Sequence, residues 1–295
     1  MSIYFNPNNG SFTEDKNSQI YVDKTELLKF LNKAVDTPQN CIAVSHSRRF
    51  GKSHAAGMIN AYYSLGSDSS KLFEDTKIAS DPDYEKYRNK YNVIHLDISS
   101  FWDDYKENLT EKIVEYIYDD IKETFGNVLD YKKKLSYVLM KIYKKTEIPF
   151  VIIIDEWDCV IRNSNDQNLI HNYLRFLHSL FKSEESKSFL ALGYITGILP
   201  IKKIEDESAL NNFQEYTMLN SYSITEYYGF TEKEVKDLCE DYDMDFETMK
   251  AWYNGYLIDG MHMYNPNSVS MAINYQDFDS YWRNTSAFGT INTFI

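Results

Sequence analysis

The sequence has few cysteines, and they are scattered. Cys41, Cys159 and Cys239 are the three cysteines of the 295-residue chain, and it has neither a C-x-x-C pair nor clustered histidines. A disulfide framework needs an even set of cysteines, and a zinc site needs paired Cys or His ligands at short spacing. The pattern therefore argues against both kinds of site and favours a reducing, cytoplasmic compartment.

The sequence also lacks long apolar runs and an excess of basic residues. No apolar stretch approaches the roughly 18 residues that a membrane-spanning helix needs, and we see no basic-then-apolar leader. Lys+Arg total 31 against 44 for Asp+Glu, so the formal net charge is −13. Such a charge argues against electrostatic binding of nucleic acid over the whole protein surface, because the affinity of that binding comes largely from phosphate contacts. We expect a soluble protein without a membrane partner, and a local basic groove for nucleic acid stays open.

The sequence does contain an apolar strand, a polar loop and a helix in direct succession. Residues 42–44 are apolar, and Gly51-Lys52-Ser53 opens a segment with helical spacing of apolar residues. In a phosphate-binding loop the backbone N–H groups and the helix N-terminus hold the phosphates, the lysine reaches the outer phosphates, and the hydroxyl binds Mg²⁺. The full pattern G-x-x-x-x-G-K-[ST] places glycine at position 46, where this chain has His46.

We predict that this loop and the first turn of the following helix bind the nucleotide. The predicted binding residues are Arg48, Arg49, Phe50, Gly51, Lys52, Ser53 and His54. A planar guanidinium group suits phosphate or carboxylate pairing, so one of Arg48 and Arg49 would contact the nucleotide while the other locks the loop or a lid. A purely structural pairing with Asp23 or Asp158 is the alternative.

A second apolar run ends in acidic residues. Residues 149–154 are continuously apolar, which is typical of a strand buried on both faces of a parallel sheet, and Asp155-Glu156 follows. Ligands of open α/β sheets gather at the carboxyl ends of the strands, so these carboxylates should lie beside the phosphate loop. We assign Ser53 and Asp155 to Mg²⁺, and Glu156 to the base that activates water. Both motifs together predict a nucleotide site.

Two further strands carry polar residues toward this predicted site. Residues 93–98 form a candidate strand that includes His95 and Asp97, and residues 189–195 form another that ends at Thr196. Thr196 would sense the γ-phosphate or its water, unless its hydroxyl merely closes a turn. His95 and Asp97 could join the site, although such residues more often satisfy a local hydrogen bond.

The chain changes in character at about residue 200. Residues 1–200 are predicted to form an α/β core, with N-terminal segment 1–40 and a mainly parallel sheet flanked by helices. Residues 201–295 are predicted to form a small, mostly helical domain in the position of a lid. In that domain, residues 231–234 match a capping box that starts a helix. In the N-terminal segment, residues 21–25 would cover the base of the nucleotide.

These residues give the chain a resemblance to the bacterial and archaeal AAA-ATPase-like family, over nearly its whole length. The resemblance rests on Tyr21 to Thr25, Arg48 to Ser53, Ile154 to Asp158, Thr196 to Ile198, Asn211-Asn212, Tyr228 to Val235, and Trp252 to Tyr256 followed by Tyr264 to Pro266. In one departure, His46-Ser47 stands where the family's loop usually has Arg-Pro.

The resemblance implies an ASCE-type P-loop fold, in which an extra strand lies between the two motif strands, and residues 93–98 would supply it. It also implies ATP and Mg²⁺ as cofactors. Members of the family often carry a PD-(D/E)XK nuclease-like domain, which would follow after about residue 285. The residues up to Ile295 contain no recognisable Asp…Glu-x-Lys constellation, so we do not expect nuclease activity from them.

We therefore predict a Mg²⁺-dependent ATPase with Lys52, Glu156 and Thr196 as its catalytic residues. Two alternatives stay open. A nucleotide-binding switch or scaffold would act on a protein partner, or as a homo-oligomer, with little or no hydrolysis. A nucleic-acid-stimulated ATPase of mobile-element or phage-defence systems would fit the family's nuclease association, although the acidic charge counts against strong DNA binding.

Overall fold

A parallel β-sheet organises the residues that the computed structural model describes, 2–203 and 210–281. Its strands are β1 (Cys41–Ser45), β2 (Asn92–Asp97), β3 (Phe150–Asp155), β4 (Leu190–Gly197) and β5 (Gln214–Thr217). They lie in the order β2-β3-β4-β1-β5, and every neighbouring pair is parallel. The predicted α/β fold with a mainly parallel sheet is confirmed.

Helices flank this sheet. The α-helices of the described residues are α1 (Gly10–Lys16), α2 (Glu26–Asn32), α3 (Lys52–Tyr63), α4 (Ser70–Phe73), α5 (Tyr84–Tyr87), α6 (Ile98–Tyr105), α7 (Leu109–Phe125), α8 (Leu135–Thr146), α9 (Cys159–Asn163), α10 (Gln167–Phe181), α11 (Ser186–Phe189), α12 (Glu232–Asp241), α13 (Phe246–Tyr253) and α14 (Pro266–Tyr275). Within the described ranges, none of them has the length and apolar character needed to cross a membrane.

Alternation of side chains along the strands divides the core into two layers. In β1, Cys41 and Ala43 pack in one cluster with the apolar faces of α7, α8 and α10, whereas Ile42 and Val44 pack in another with α2 and α3. Successive strand residues point to opposite faces, so a strand covered on both sides must be apolar throughout. This explains why β1, β3 and β4 are buried along their whole length.

The extra strand between the two motif strands is β4, and the prediction that residues 93–98 supply it was wrong. Strand β2 lies outside β3, at the edge of the sheet. There the N-terminal segment covers it, because the Asn6 N–H donates to the Val93 carbonyl at 2.7 Å and the His95 N–H donates to the Tyr4 carbonyl at 3.0 Å. Parallel strands are joined by crossovers, so order along the chain does not fix order in the sheet.

The C-terminal region has its own small core. Three antiparallel strands, β6 (Phe230–Thr231), β7 (Tyr256–Ile258) and β8 (Met261–Tyr264), lie in the order β6-β8-β7 beside α12, α13 and α14. The predicted capping box is confirmed: the Thr231 hydroxyl accepts from the Glu234 N–H, and the Glu234 carboxylate accepts from the Thr231 N–H at 2.8 Å.

The predicted boundary at residue 200 precedes β5, which pairs with β1 in the main sheet. The main sheet thus takes its last strand from the C-terminal part of the chain. Division into a core and a lid-like domain stays a prediction, and residues 204–209 and 282–295 of the proposed lid lie outside the described residues.

Candidate functional site

The predicted site residues meet at the carboxyl edge of the main sheet. Asp97 pairs in register with Asp155 at the ends of β2 and β3, and Ser45 pairs with Gly197 at the ends of β1 and β4. Because these strands are parallel, the loops that follow them leave the sheet on the same side. The loop of residues 46–51, here called the phosphate loop, therefore lies beside residues 155–158 at the end of β3, here called the acidic turn.

The phosphate loop has a backbone conformation suited to an anion. Arg49 (φ 63°) and Gly51 (φ 87°) both lie in the left-handed region, and Gly51 is the N-cap of α3. Left-handed residues in such loops turn successive N–H groups toward one point, and the helix N-terminus adds its unpaired N–H groups. A side chain at Gly51 would find open space around its Cβ atom, so this backbone angle is what favours glycine there.

Lys52 begins α3 and is almost wholly buried, with 5% of its surface exposed. Its Nζ donates to the carbonyl oxygens of His46 and Ser47, each at 2.9 Å. Burial lowers the pKa of Lys52, and nearby carboxylates, Glu156 foremost, act in the opposite direction. An anion held in the phosphate loop would likewise favour the charged lysine.

His46, at the position of the missing glycine, is a buried neutral ring. The imidazole is 3% exposed and packs against the rings of Phe50 and Tyr228, at centroid distances of 4.6 and 5.9 Å. Among the described residues, neither ring nitrogen has a hydrogen-bond partner. Burial, with a smaller contribution from Lys52, lowers the pKa of His46 to about 3. The His46 N–H donates to the Gly197 carbonyl at 3.0 Å, which fixes the loop to the end of β4.

Strand β4 orders the acidic turn. Asp155 Oδ1 accepts from the Thr196 hydroxyl and, at 3.0 Å, from the Glu156 N–H. Asp155 and Thr196 are both buried, and the Trp157 N–H donates to the Thr196 carbonyl at 2.9 Å. The Thr196 hydroxyl therefore contacts Asp155, the predicted metal ligand.

Glu156 has an ion-pair partner, Arg162, that no sequence pattern had indicated. Its carboxylate accepts from Arg162 Nη2, and Arg162 Nε donates to Asp158 Oδ2 at 2.8 Å. Burial raises the pKa of Glu156, while the cations of Lys52 and Arg162 oppose this rise. The backbone of Glu156 is also left-handed, with φ 50°. One guanidinium group therefore holds two carboxylates of the acidic turn.

The two loop arginines lie next to the C-terminal region. Arg49 Nη1 donates to Asn267 Oδ1 at 2.7 Å, and the Asn265 side-chain amide donates to the Arg48 carbonyl at 3.5 Å. The guanidinium that binds Asp158 comes from Arg162. Arg49 thus contacts the predicted lid-like region, and the division of roles between the two loop arginines stays a prediction.

A cavity of about 590 Å³, here called the phosphate cavity, lies between the phosphate loop and the acidic turn. Its wall brings together most of the predicted site: Arg48, Arg49, Gly51, Lys52, Ser53, His54, Asp155 and Glu156. It also includes residues without a predicted role: Ser99, Trp102, Asp103, Cys159, Arg162 and Asn163. Its volume is in the range of small-molecule sites.

A second cavity, of about 460 Å³, lies beside the phosphate loop and is here called the apolar cavity. Arg49, Gly51 and His54 line both cavities. Apolar side chains dominate the wall of the second one: Phe12, Ile20, Tyr21, Val22, Phe50, Ala55, Met58, Tyr227 and Phe230. The segment predicted to cover a base therefore contributes to this wall.

Phe50 and His54 differ from the other predicted loop residues. Phe50 is fully buried, packs edge-on against Tyr256 at 5.0 Å, and lines the apolar cavity. The His54 side chain is 71% exposed and pairs with Asp15 at 2.5 Å. The hydrogen bond that His54 Nδ1 donates to Asp15 raises the pKa of His54.

Sequence spacing could have identified Arg162, because Asp158 precedes it by four residues, and residues four apart meet on one face of a helix.

Asp97 satisfies local hydrogen bonds, which was the alternative to a role in the site. Its carboxylate accepts from the Ser99 N–H at 2.9 Å and from the Ser100 hydroxyl at 2.8 Å, and it caps α6. Asp97 nevertheless also lines the phosphate cavity. His95 is largely enclosed, and burial lowers its pKa.

The donor set fits Mg²⁺ bound together with a nucleotide. In the described ranges, no group of three or more His, Cys, Asp or Glu side chains could hold a metal ion on its own. Mg²⁺ usually keeps several waters and takes one or two carboxylates together with substrate phosphates. Ser53 and Asp155 both line the phosphate cavity and supply a hydroxyl and a carboxylate.

A protein of Azotobacter chroococcum mcd 1, described as an uncharacterized protein in the vnfD 5′ region, is 28% identical over 141 residues, which are 46% of this chain and 27% of that protein. The chain thus spans about a quarter of that relative's length.

Two solved structures align with 79% of the chain. They are CDC6P from Pyrobaculum aerophilum (11% identity, 52% of that chain, TM-score 0.40) and the Aeropyrum pernix ORC2 protein, described as ADPNP-ADP complexes (9% identity, 50% of that chain, TM-score 0.39). The family model described as predicted AAA-ATPase matches residues 11–205, which contain the phosphate loop, the acidic turn and β4. With this match over more than half of its length, the chain belongs to the AAA-ATPase-like family.

Proposed function

We propose that this chain binds ATP with Mg²⁺ and hydrolyses the bond to the γ-phosphate. The observation that carries the proposal is that Lys52, Asp155 and Glu156 line one cavity at the N-terminus of α3. A buried lysine, a metal-binding carboxylate and a second carboxylate are the groups that phosphoryl transfer to water requires. Family membership supports the same activity.

The triphosphate would lie in the phosphate cavity. Lys52 would exchange its bonds to the His46 and Ser47 carbonyls for bonds to the outer phosphates. Ser53 and Asp155 would hold Mg²⁺, which neutralises phosphate charge when bound. Because Asp155 Oδ1 already accepts two hydrogen bonds, Oδ2 is the oxygen that we assign to the metal.

Glu156 would accept a proton from the attacking water. The water oxygen forms a bond to the γ-phosphorus, the bond from that phosphorus to the bridging oxygen breaks, and ADP leaves with the electron pair. Thr196 would act through its hydrogen bond to Asp155 and so report on the metal site.

The base and ribose would occupy the apolar cavity. Arg49, Gly51 and His54 line both cavities and would lie where the two parts of the nucleotide join. Aromatic and aliphatic side chains of the wall, including Tyr21 and Val22, would enclose the base. In this proposal the N-terminal segment would bind the base.

Phosphate release from ATP with Mg²⁺ tests the proposal. We expect K52A to weaken ATP binding at least about tenfold, and E156Q to keep ATP affinity within about threefold while slowing release about 100-fold or more. K236A and E240Q, at exposed positions of α12, are the matched controls. Unchanged turnover in both site variants would refute the assignment.

A nucleotide switch is the second candidate, and contacts of the phosphate loop favour it. The Gly229 N–H donates to the Phe50 carbonyl at 3.1 Å, and Arg49 binds Asn267, so the loop touches the lid-like region directly. Such a switch would act on a protein partner or a second copy of the chain. ATP binding without phosphate release would favour the switch.

We also propose that the protein lies in the cytoplasm, because its three cysteines are unpaired and buried.

A further inference from the structure

We infer that Arg162 is a positioning residue for the proposed hydrolysis. Asp158 fixes the Arg162 guanidinium group, and this group in turn holds the Glu156 carboxylate at the phosphate cavity. The inference rests on the proposed function. Arg162 lies on α9, which directly follows the acidic turn. Its side chain is only 7% exposed, yet it lines the phosphate cavity.

Asp158 fixes the guanidinium group to the main sheet. It is fully buried, and its Oδ2 accepts from Arg162 Nε at 2.8 Å and from the N–H groups of Ile198 and Leu199 at 3.1 and 2.8 Å. Both N–H groups directly follow β4. A Cβ atom at Gly197 would lie 2.6 Å from Asp158 Oδ1, so the glycine leaves room for this anchor. The guanidinium group is thereby held against the end of β4.

The other end of the same guanidinium group holds Glu156. Arg162 Nη2 donates to Glu156 Oε2, on a side chain that is 23% exposed. A general base must stay within hydrogen-bond reach of the proton that it takes. Pairing through Oε2 fixes the carboxylate and assigns Oε1 to the proton of the attacking water. The planar fork of arginine can hold two carboxylates at once in a way that an ammonium group does not reproduce.

A purely structural role for Arg162 would have a different signature. Loss of a buried cation leaves the Asp158 carboxylate uncompensated, which destabilises a fold whatever the reaction. In that case stability would fall, and any loss of rate would be independent of Glu156. A positioning role instead slows the chemical step through Glu156 and leaves ATP affinity nearly unchanged.

The test compares R162K and R162Q with R175Q, a control at an exposed arginine of α10. ATP affinity, the single-turnover rate of phosphate release and the melting temperature are measured for each protein. We expect R162K to keep ATP affinity within about threefold and to release phosphate about tenfold more slowly, R162Q to be about 100-fold slower, and R175Q to match the wild type. R162K keeps a charge beside Asp158, so it serves as the test if R162Q does not fold.

The same substitutions in the E156Q background separate the two roles. If Arg162 acts through Glu156, R162K changes the E156Q rate by less than about twofold. Two results would overturn the inference: R162K releases phosphate at the wild-type rate, or R162K slows release tenfold in the E156Q background as well. In either case, turnover by the wild-type protein would still support the proposed function. A wild-type protein that binds ATP but releases no phosphate would overturn the proposed hydrolysis, and the inference with it.

Discussion

At the level of single residues, His46 couples the phosphate loop to the stability of the fold through its charge. The pKa of the buried imidazole is lowered to about 3, below its ordinary value of 6.5. Between these pH values the unfolded chain binds the proton more readily, so stability is complete above pH 6.5 and falls as the pH decreases. Acidification therefore favours the unfolded chain, which takes up a proton that the buried ring of the folded protein does not bind.

We predict that the free energy of unfolding falls by about 2 kcal/mol between pH 7.5 and pH 5 because of His46 alone, since pH 5 lies about 1.5 units below the ordinary pKa. Urea unfolding at both pH values measures this loss. H46F keeps an aromatic ring against Phe50 and Tyr228 and removes no side-chain hydrogen bond of the described residues. Its pH-dependent loss should be smaller by that amount, and an equal loss in both proteins would contradict the prediction.

The positions of the candidate site residues could be predicted from the sequence where the pattern is local. Gly51-Lys52-Ser53 and Asp155-Glu156 are contiguous, and the strands before them fix where they emerge. The contacts of these residues were harder to predict. That Lys52 binds loop carbonyls depends on how the backbone folds back on itself.

At the level of elements, the edge strand β2 depends on the N-terminal segment, and one carboxylate holds that segment. Asp120 Oδ2, on α7, accepts from the N–H groups of Ile3, Tyr4 and Phe5 at 2.9, 2.6 and 3.0 Å. The segment then donates hydrogen bonds to β2 and accepts hydrogen bonds from it, so the edge of the sheet has hydrogen-bond partners.

We predict that D120A lowers the free energy of unfolding by about 2 kcal/mol or more, because three backbone N–H groups lose one charged acceptor. The neighbouring D119A is the control, since Asp119 is 58% exposed and pairs with Lys122 on the surface. Chemical unfolding of both variants checks the difference. Equal stability in D120A and D119A would show that the segment needs no anchor.

Periodicity predicted the elements well and their arrangement poorly. The apolar positions of α7 and α10 and the continuous apolar runs of β3 and β4 are properties of the local sequence. The position of β2 at the edge, with β4 between the motif strands, depends on crossovers that no local pattern specifies.

At the level of the whole molecule, the phosphate loop and the C-terminal region share contacts. Arg49 binds Asn267 near the start of α14, and the Phe50 ring packs against Tyr256. Lys24 of the N-terminal segment pairs with Glu234 of α12 at 2.6 Å. A ligand that rearranges the loop would therefore alter the contacts of Arg49 and Phe50 with the C-terminal region, in the way that phosphates order switch segments.

We predict that ATP slows amide hydrogen exchange in residues 265–275, and that N267A weakens this effect because the Arg49 contact is lost. Exchange followed by mass spectrometry, with and without ATP and Mg²⁺, measures the change. N220A, at an exposed position, is the control. Equal ATP-dependent protection in N267A and the wild type would exclude this contact as the link.

Domain organisation could be predicted only in part. A change of character near residue 200 is visible in the sequence, but β5 lies beyond it and pairs with β1. Strand β5 is short and partly exposed, so no continuous apolar run marks it. A strand at the edge of a sheet gives a weaker sequence signal than a central one.

Calorimetric titration of the protein with ATP and Mg²⁺, beside K52A, tests the central claim most directly. If the phosphate cavity and the apolar cavity together form one nucleotide site, the wild type binds one ATP per chain, and K52A binds it at least about tenfold more weakly. Equal affinity in the two proteins, or no binding by the wild type, would contradict the assignment of this site.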